Sequence, residues 1–246
     1  MRALGVPGLA WGPSWMEGIP MKKLSLGLLG AAMLWGGPES AERLSIPRLE
    51  GRPKIDGMLD EPVWSKAFVA TRFFQTRPGE NLSPSRKTEV RLFHNGSSIY
   101  LGVRCWDPRP QEIWRKRYGR DSDPGGGEAF SVLIDPSGSA QKALAIGITP
   151  MGDVSDGLYD LSTGHFSKSF DFEFKGMSRI DGDGYTVELE IPFDSLPIPL
   201  KNGSQTWYLY LERTVPRQDF ELISNVPINR ESVDPKDSYA PADLED

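Results

Sequence analysis

Three groups of residues have types and spacing that could do chemistry. Asp121, Asp123 and Glu128 flank the run Gly125-Gly126-Gly127. Carboxylate oxygens gathered in this way suit a hard cation such as calcium, although a solvated acidic turn also explains them and the spacing is not that of an EF-hand. Glu188 and Glu190 stand two residues apart, so on a strand they would share one face about 7 Å from each other. A glycosidase needs two carboxylates at defined separation across a cleft, but simple alternation accounts for the pair as a solvent-facing row. The third group is aromatic. Trp106 falls out of phase with Val103 and Cys105, and Trp114 lies where the pattern lapses, so both are candidates for exposed platforms. Phe170 and Phe174 alternate with Asp171 and Glu173, which leaves core and ligand-facing roles both open. Trp64 and Trp207 keep step with apolar neighbours and read as core.

The nucleophile and metal patterns are missing. The two histidines, His94 and His165, sit beside a turn and in a loop. No Gly-x-Ser-x-Gly, His-Glu-x-x-His or Cys-x-x-Cys occurs, and the glycine run lacks the Gly-Lys-Ser/Thr ending of a phosphate loop. The chain reads as non-catalytic.

The elements that must position these residues are strands. From Thr88 to Asp107, Val90 and Leu92 and then Ile99, Leu101, Val103 and Cys105 alternate with polar or out-of-phase residues on either side of Asn95-Gly96. That dipeptide readily takes the positive φ angles of a tight turn, so the stretch predicts a β-hairpin with one buried face. Phe130 to Ile134, Leu144 to Ile148, Tyr185 to Ile191 and Trp207 to Leu211 repeat the period of two, and Phe170 to Phe174 shows it as well. Asp60 is placed to cap a short helical turn that begins at Pro62 and buries Val63, Trp64, Ala67 and Phe68. Short strands, Gly/Asp/Pro turns and almost no helical period predict an all-β chain, a β-sandwich of jelly-roll-like type, over residues 43–217. Residues 218–246 read as an acidic, proline-containing tail with no packing pattern of their own.

Met21-Lys22-Lys23 followed by the apolar run Leu24 to Trp35 has the form of a signal peptide, too short to span a membrane. Residues 1–41 are therefore expected to be a leader, with Met21 as the true start and export to the periplasm, outer membrane or medium. A net charge of −6 argues against nucleic acid as a partner. The single cysteine, Cys105, excludes a disulfide framework.

Several landmarks agree in order with a known family. They are Ile55-Asp56-Gly57-x-Leu59-Asp60-Glu61-Pro62-x-Trp64, Thr88-Glu89-Val90-Arg91, Ile99-Tyr100-Leu101-Gly102-Val103 and Asp107-Pro108-Arg109-Pro110. Pro150-x-Gly152-x-x-x-Asp156, Gly184 to Phe193 and Trp207-x-x-x-x-x-Arg213 complete the series. Together they resemble the carbohydrate-binding module family 9-like domain, in the version found at the N-terminus of exported bacterial proteins that continue into a membrane β-barrel. The resemblance covers most of residues 43–217, and Glu212-Arg213-Thr214-Val215-Pro216-Arg217 resembles the exit sequence of that domain. It implies a β-sandwich that binds oligo- or polysaccharide chains and serves carbohydrate catabolism, as a stand-alone module or a truncated relative of a barrel protein. Where the family carries Trp-Asp and a second Trp three residues on, this chain has Phe170-Asp171 and Phe174, which makes those residues its implied sugar contacts beside Trp106 and Trp114. An interaction domain of an outer-membrane assembly is the rival reading. Haem binding, with Met151, Met177 and His94 as the available ligands, is a third.

Overall fold

A computed structural model describes residues 40–120, 127–160, 163, 165–196, 206–229 and 235–245. The expected leader, most of it before residue 40, falls outside that set. The strands in chain order are β1 (Leu44–Ile46), β2 (Phe68–Ala70), β3 (Phe74–Arg77), β4 (Thr88–His94), β5 (Ser98–Trp106), β6 (Ala129–Asp135) and β7 (Lys142–Ile148). They continue as β8 (Val154–Asp160), β9 (His165–Ser167), β10 (Lys175–Ile180), β11 (Gly184–Pro192), β12 (Thr206–Val215), β13 (Glu221–Ser224) and β14 (Ala240–Leu244).

The β4–β5 hairpin forms as its alternation requires. Gly96 takes a φ of +88°, and the Asn95 Oδ1 accepts from the backbone N–H of Ser97 and Ser98 at 3.1 and 3.0 Å. β5 lies at the centre of a five-stranded sheet ordered β10-β11-β5-β4-β2. Val90 faces Val103, Leu92 faces Leu101, and across the other seam Val103 faces Val187 and Leu101 faces Leu189. All are fully buried against the inner face of the second sheet, where Phe130, Val132, Ile134, Leu209 and Leu211 meet them. That sheet runs β1-β14-β12-β6-β7-β8-β9, with β13 joining β12 to β3. The architecture is the predicted β-sandwich.

Three expectations need correction. Phe170–Phe174 is not a strand: the edge strand begins at Lys175, and the preceding segment crosses from β9 of one sheet to β10 of the other. The turn at Pro62–Lys66 is a 3-10 turn whose N-cap is Glu61, with no side-chain cap, so Asp60 does not cap it. The tail is part of the sandwich. Along one edge of β12, β14 pairs with Thr206–Leu209 and β13 with Glu212–Val215, and β1 is added in parallel to β14. β14 reads Ala-Pro-Ala-Asp-Leu, so its order comes from the β12 edge and not from a pattern of its own.

The outer face of the five-stranded sheet carries a second layer. Residues 49–67 lie over it, and Trp64 packs edge-on against Phe93 at 5.2 Å while Phe93 stacks on Tyr100 at 4.7 Å. Gly102 makes room for this roof, because a Cβ there would lie 2.7 Å from Leu59 Cδ2 and 2.9 Å from Trp64 Cζ3. Glu188 and Glu190 point into this layer and are 0% and 2% exposed, so the solvent-facing row expected there is overturned. Glu188 accepts from the Asp56 and Gly57 N–H groups at 2.9 and 2.8 Å and from Trp64 Nε1 at 3.1 Å. Glu190 accepts from Tyr100 Oη, Arg52 and Lys175 at 2.9–3.1 Å.

Burial pushes the Glu188 carboxyl from 4.5 up to about 7 despite those three donors, and the nearby Glu61 charge adds to the push. The folded state therefore holds this proton more tightly than the unfolded state does. The stability so gained is complete below pH 4.5 and is lost as pH rises through about 7, an effect of about 3 kcal/mol. Urea titrations from pH 5 to pH 8 should show this loss in the wild type and a flatter profile in Glu188→Gln. Parallel profiles would contradict it. The tail supplies a second expectation. Leu222, Ile223, Val226 and Tyr239 are all at least 97% buried. At about 1.5–3 kcal/mol each, their burial rivals the ~5–15 kcal/mol stability of a whole domain. A chain ended at Arg217 should show no cooperative melt by circular dichroism, and a sharp transition would refute the structural role of the tail.

Candidate functional site

Glu188 and Glu190 have the environments that separate an acid from a base. Burial raises the first, whereas for the second Lys175, Tyr100 and Arg52 outweigh burial and hold it below the usual carboxylate range. They lack access. The roof of residues 49–67, with Trp64 on Phe93, covers the face that carries them, and both carboxylates are buried beneath it.

One end of the sandwich is filled by charge. Asp107, just past β5, takes Arg217 at 2.7 Å and Arg213 at 3.2 Å on one oxygen. Glu128, ahead of β6, receives the same Arg217 on both oxygens at 3.0 Å. Arg86 joins Asp219 and Glu221 at 2.7 and 2.9 Å. Burial pushes Glu128 up against the pull of Arg217, and it pushes Asp107 up too, but there Arg217 wins and the carboxyl is held low. Glu128 is thus committed to an arginine, and Asp121 and Asp123 lie outside the described residues. Among the described residues no group of three or more acidic, His or Cys side chains is arranged to hold a metal.

Trp106 and Trp114 stand at this same end. Trp106 is half-buried, with Lys87 Nζ 4.2 Å and the Arg104 guanidinium 5.6 Å from its ring centroid. It borders a shallow groove of about 340 Å³ lined by Arg86, Lys87, Asp107 and Asp183. Its ring is covered by cations, so it is not the open platform expected. Trp114 is 38% exposed, anchored by buried Ile113 and by its own N–H, which reaches Glu128 Oε2 at 3.5 Å.

From Trp114 the chain continues to the open side of the sandwich, where 168–174 crosses between the sheets. Tyr118 donates its N–H to Asp153 Oδ2 at 3.1 Å. Arg120 Nη2 bonds Asp156 at 2.9 Å and Asp171 at 3.1 Å, and its guanidinium lies 5.7 Å from the Phe174 ring centroid. Asp156, buried on β8, also accepts the Phe172 N–H at 2.8 Å. One carboxylate thereby fixes both the crossing segment and the arginine beside it. Phe172 is 8% exposed and packs into the core, and Phe174 is half-buried against it. Phe170 is 47% exposed, stacked on Phe172 at 6.5 Å and 19°. The result is a lip with an outward aromatic ring, an exposed carboxylate on Asp171 and a half-exposed guanidinium.

Phe170, Asp171 and Phe174 therefore come together, and no contact joins them to Trp106 or Trp114. The sequence reading missed Arg120 and Asp156 as site residues. Asp156 was visible in the landmark Pro150-x-Gly152-x-x-x-Asp156, but nothing local links it to Arg120. Of the haem ligands that the sequence offers, buried His94 donates its ring Nε2–H to the Glu245 carbonyl at 2.7 Å, Met177 is exposed on β10, and Met151 is half-buried in the turn after β7.

No protein-family model and no curated protein matches the sequence. Solved structures do. A protein from Bacteroides uniformis ascribed a carbohydrate-binding role aligns at TM-score 0.62 and 12% identity, over 84% of this chain and all of that one. A family 9 carbohydrate-binding module from Caldicellulosiruptor kristjanssonii, solved with glucose, aligns at 0.58 and 14% identity, over 83% of this chain and 96% of that one. The module from the same organism solved with cellotriose aligns at 0.55 and 12%, over 83% and 94%. The fold is that of a family 9-like carbohydrate-binding module.

Proposed function

We propose that this domain binds a saccharide chain without acting on it, at the lip formed by Phe170, Asp171, Arg120 and Phe174. The observation that carries the reading is the Phe170 ring, held 47% exposed while its stacking partner Phe172 is buried. An apolar ring kept in solvent beside bonded charges suits sugar recognition. Its face packs on sugar C–H groups, and Asp171 and Arg120 accept from and donate to the hydroxyls. Family 9 modules of the same fold, solved with glucose and cellotriose, support the ligand class. Phenylalanine offers less area than tryptophan and no N–H, which favours weak binding to several sugars over tight binding to one.

Export of the chain belongs to the same reading and is supported by the charged and apolar run at residues 21–35. A role in carbohydrate catabolism, with an outer-membrane protein as partner, is its wider context. Mass spectrometry of the protein from its native host should find a mature N-terminus near residue 41. A cytoplasmic product that retains residues 21–40 would reject export.

A thermal-shift screen of residues 42–246 against neutral and acidic oligosaccharides tests the binding reading. A ligand at a hundred times its dissociation constant should add about 2.7 kcal/mol. Phe170→Ala should abolish the shift and leave the unliganded melting point within about 1 °C, because the ring is exposed. A cooperative melt that no saccharide moves would shift the assignment to an interaction domain without a sugar site.

A further inference from the structure

The stretch between the two candidate aromatic regions is Trp114-Arg115-Lys116-Arg117-Tyr118-Gly119-Arg120, with four cations in seven residues of a chain whose net charge is −6. The overall charge conceals this cluster. Two of the cations have structural work to do. Arg120 fixes the lip through Asp156 and Asp171, and Arg117 lies 3.7 Å from Asp153. Arg115 and Lys116 have none. Both are exposed, and among the described residues neither forms an ion pair. The one interaction of Lys116 is with a ring, its Nζ lying 4.9 Å from the Tyr118 ring centroid. At most about 17 Å of chain separates Arg115 from Arg120, and the Asp153 and Asp156 anchors hold that chain against the border of the lip. The exposed ring at the lip and two cations without ion-pair partners are thus close enough along the chain for a single extended ligand to reach both.

We infer that the saccharide taken at this lip is acidic, its carboxylate or sulfate groups meeting Arg115 and Lys116 while a sugar ring lies on Phe170. The inference rests on the saccharide-binding reading and narrows it. Neutral sugar hydroxyls would gain from these cations a hydrogen bond but no charge–charge attraction. Anionic groups on a polysaccharide gain charge-assisted hydrogen bonds, and the planar guanidinium of Arg115 matches both carboxylate and sulfate oxygens in pairs. Arg120 is shared between Asp156 and Asp171, so the attraction for an anion comes from Arg115 and Lys116 and not from the lip arginine. Nucleic acid offers phosphate charge as well, but an exposed phenylalanine ring beside bonded charges is the feature on which the saccharide reading rests, so the saccharide is favoured and nucleic acid is an outcome of the test.

The test is calorimetry on residues 42–246 with oligogalacturonate, a sulfated carrageenan oligosaccharide and a cello-oligosaccharide of matched length, in about 0.05 M and about 0.5 M salt. The acidic probes should bind about tenfold more tightly than the neutral one at low salt and lose that advantage at high salt. The R115A/K116A variant should remove the advantage at low salt while keeping the neutral affinity and the melting point. Which acidic probe binds more tightly identifies carboxylate or sulfate as the source. Equal binding of acidic and neutral probes, or an unchanged preference in the variant, would overturn the inference and leave the saccharide reading standing. Binding of none would end both. Oligothymidylate is titrated alongside them, and its tighter binding than either acidic saccharide would overturn the inference in favour of nucleic acid.

Discussion

The constraint on which the architecture turns is the set of ions sealed into one end of the sandwich. Arg213 is fully buried on β12, and Arg86 is nearly so. A guanidinium in that position is tolerable only when carboxylates match it, because an unpaired buried charge costs several kcal/mol. The partners come from distant parts of the chain: Asp107 after β5, Glu128 before β6, Glu221 on β13 and Asp219 between β12 and β13. Such a network adds little net stability over a well-packed apolar plug. It does fix where the chain must pass. Asp107 and Glu128 are the two ends of the excursion that crosses from one sheet to the other, and the network tethers both. The lip depends on this, since Arg120 lies within that excursion and can reach Asp156 only if its ends are held.

The tail follows from the same constraint. Arg86 needs Glu221, and Glu221 lies on β13, which extends the sheet between β12 and β3. Beyond β13, β14 takes the rest of the same edge of β12 and gives β1 its partner. The N-terminal and C-terminal strands are thus neighbours, with Arg43 bonded to Asp243 and Ser45 to Glu245.

What was legible in the sequence follows from how local each signal is. The β4–β5 hairpin could be read because its pattern, its turn and its partner all lie within twenty residues. β11 and β12 could be read because buried neighbours on both sides make them long and apolar. β3, β9 and β10 are edge strands, and β13 and β14 are short strands paired on both sides, so in each the neighbouring strand supplies an order that composition does not show. Glu188 and Glu190 were misread for a related reason. Alternation says only that two residues share a face, and here both faces of the sheet are covered. Nothing near Glu188 reveals that the roof comes from residues 49–67, more than a hundred positions away.

The site shows the same division. Phe170 to Phe174 alternate as a strand would, yet the three rings meet three different environments: solvent, core and the space beneath a guanidinium. Alternation failed because the segment is a crossing, held by the Asp156 carboxylate instead of by a neighbouring strand. The family resemblance placed Phe170, Asp171 and Phe174 together. It could not supply Arg120, which comes from the stretch where every pattern lapses. Core positions repeat with the period of their element, and a recognition surface has no period to repeat. Its residues are brought together by anchors such as Asp156, a single buried acid whose two oxygens hold two unrelated segments. In this molecule the informative residues of the site are those anchors, and the exposed ring they support marks where a ligand would lie.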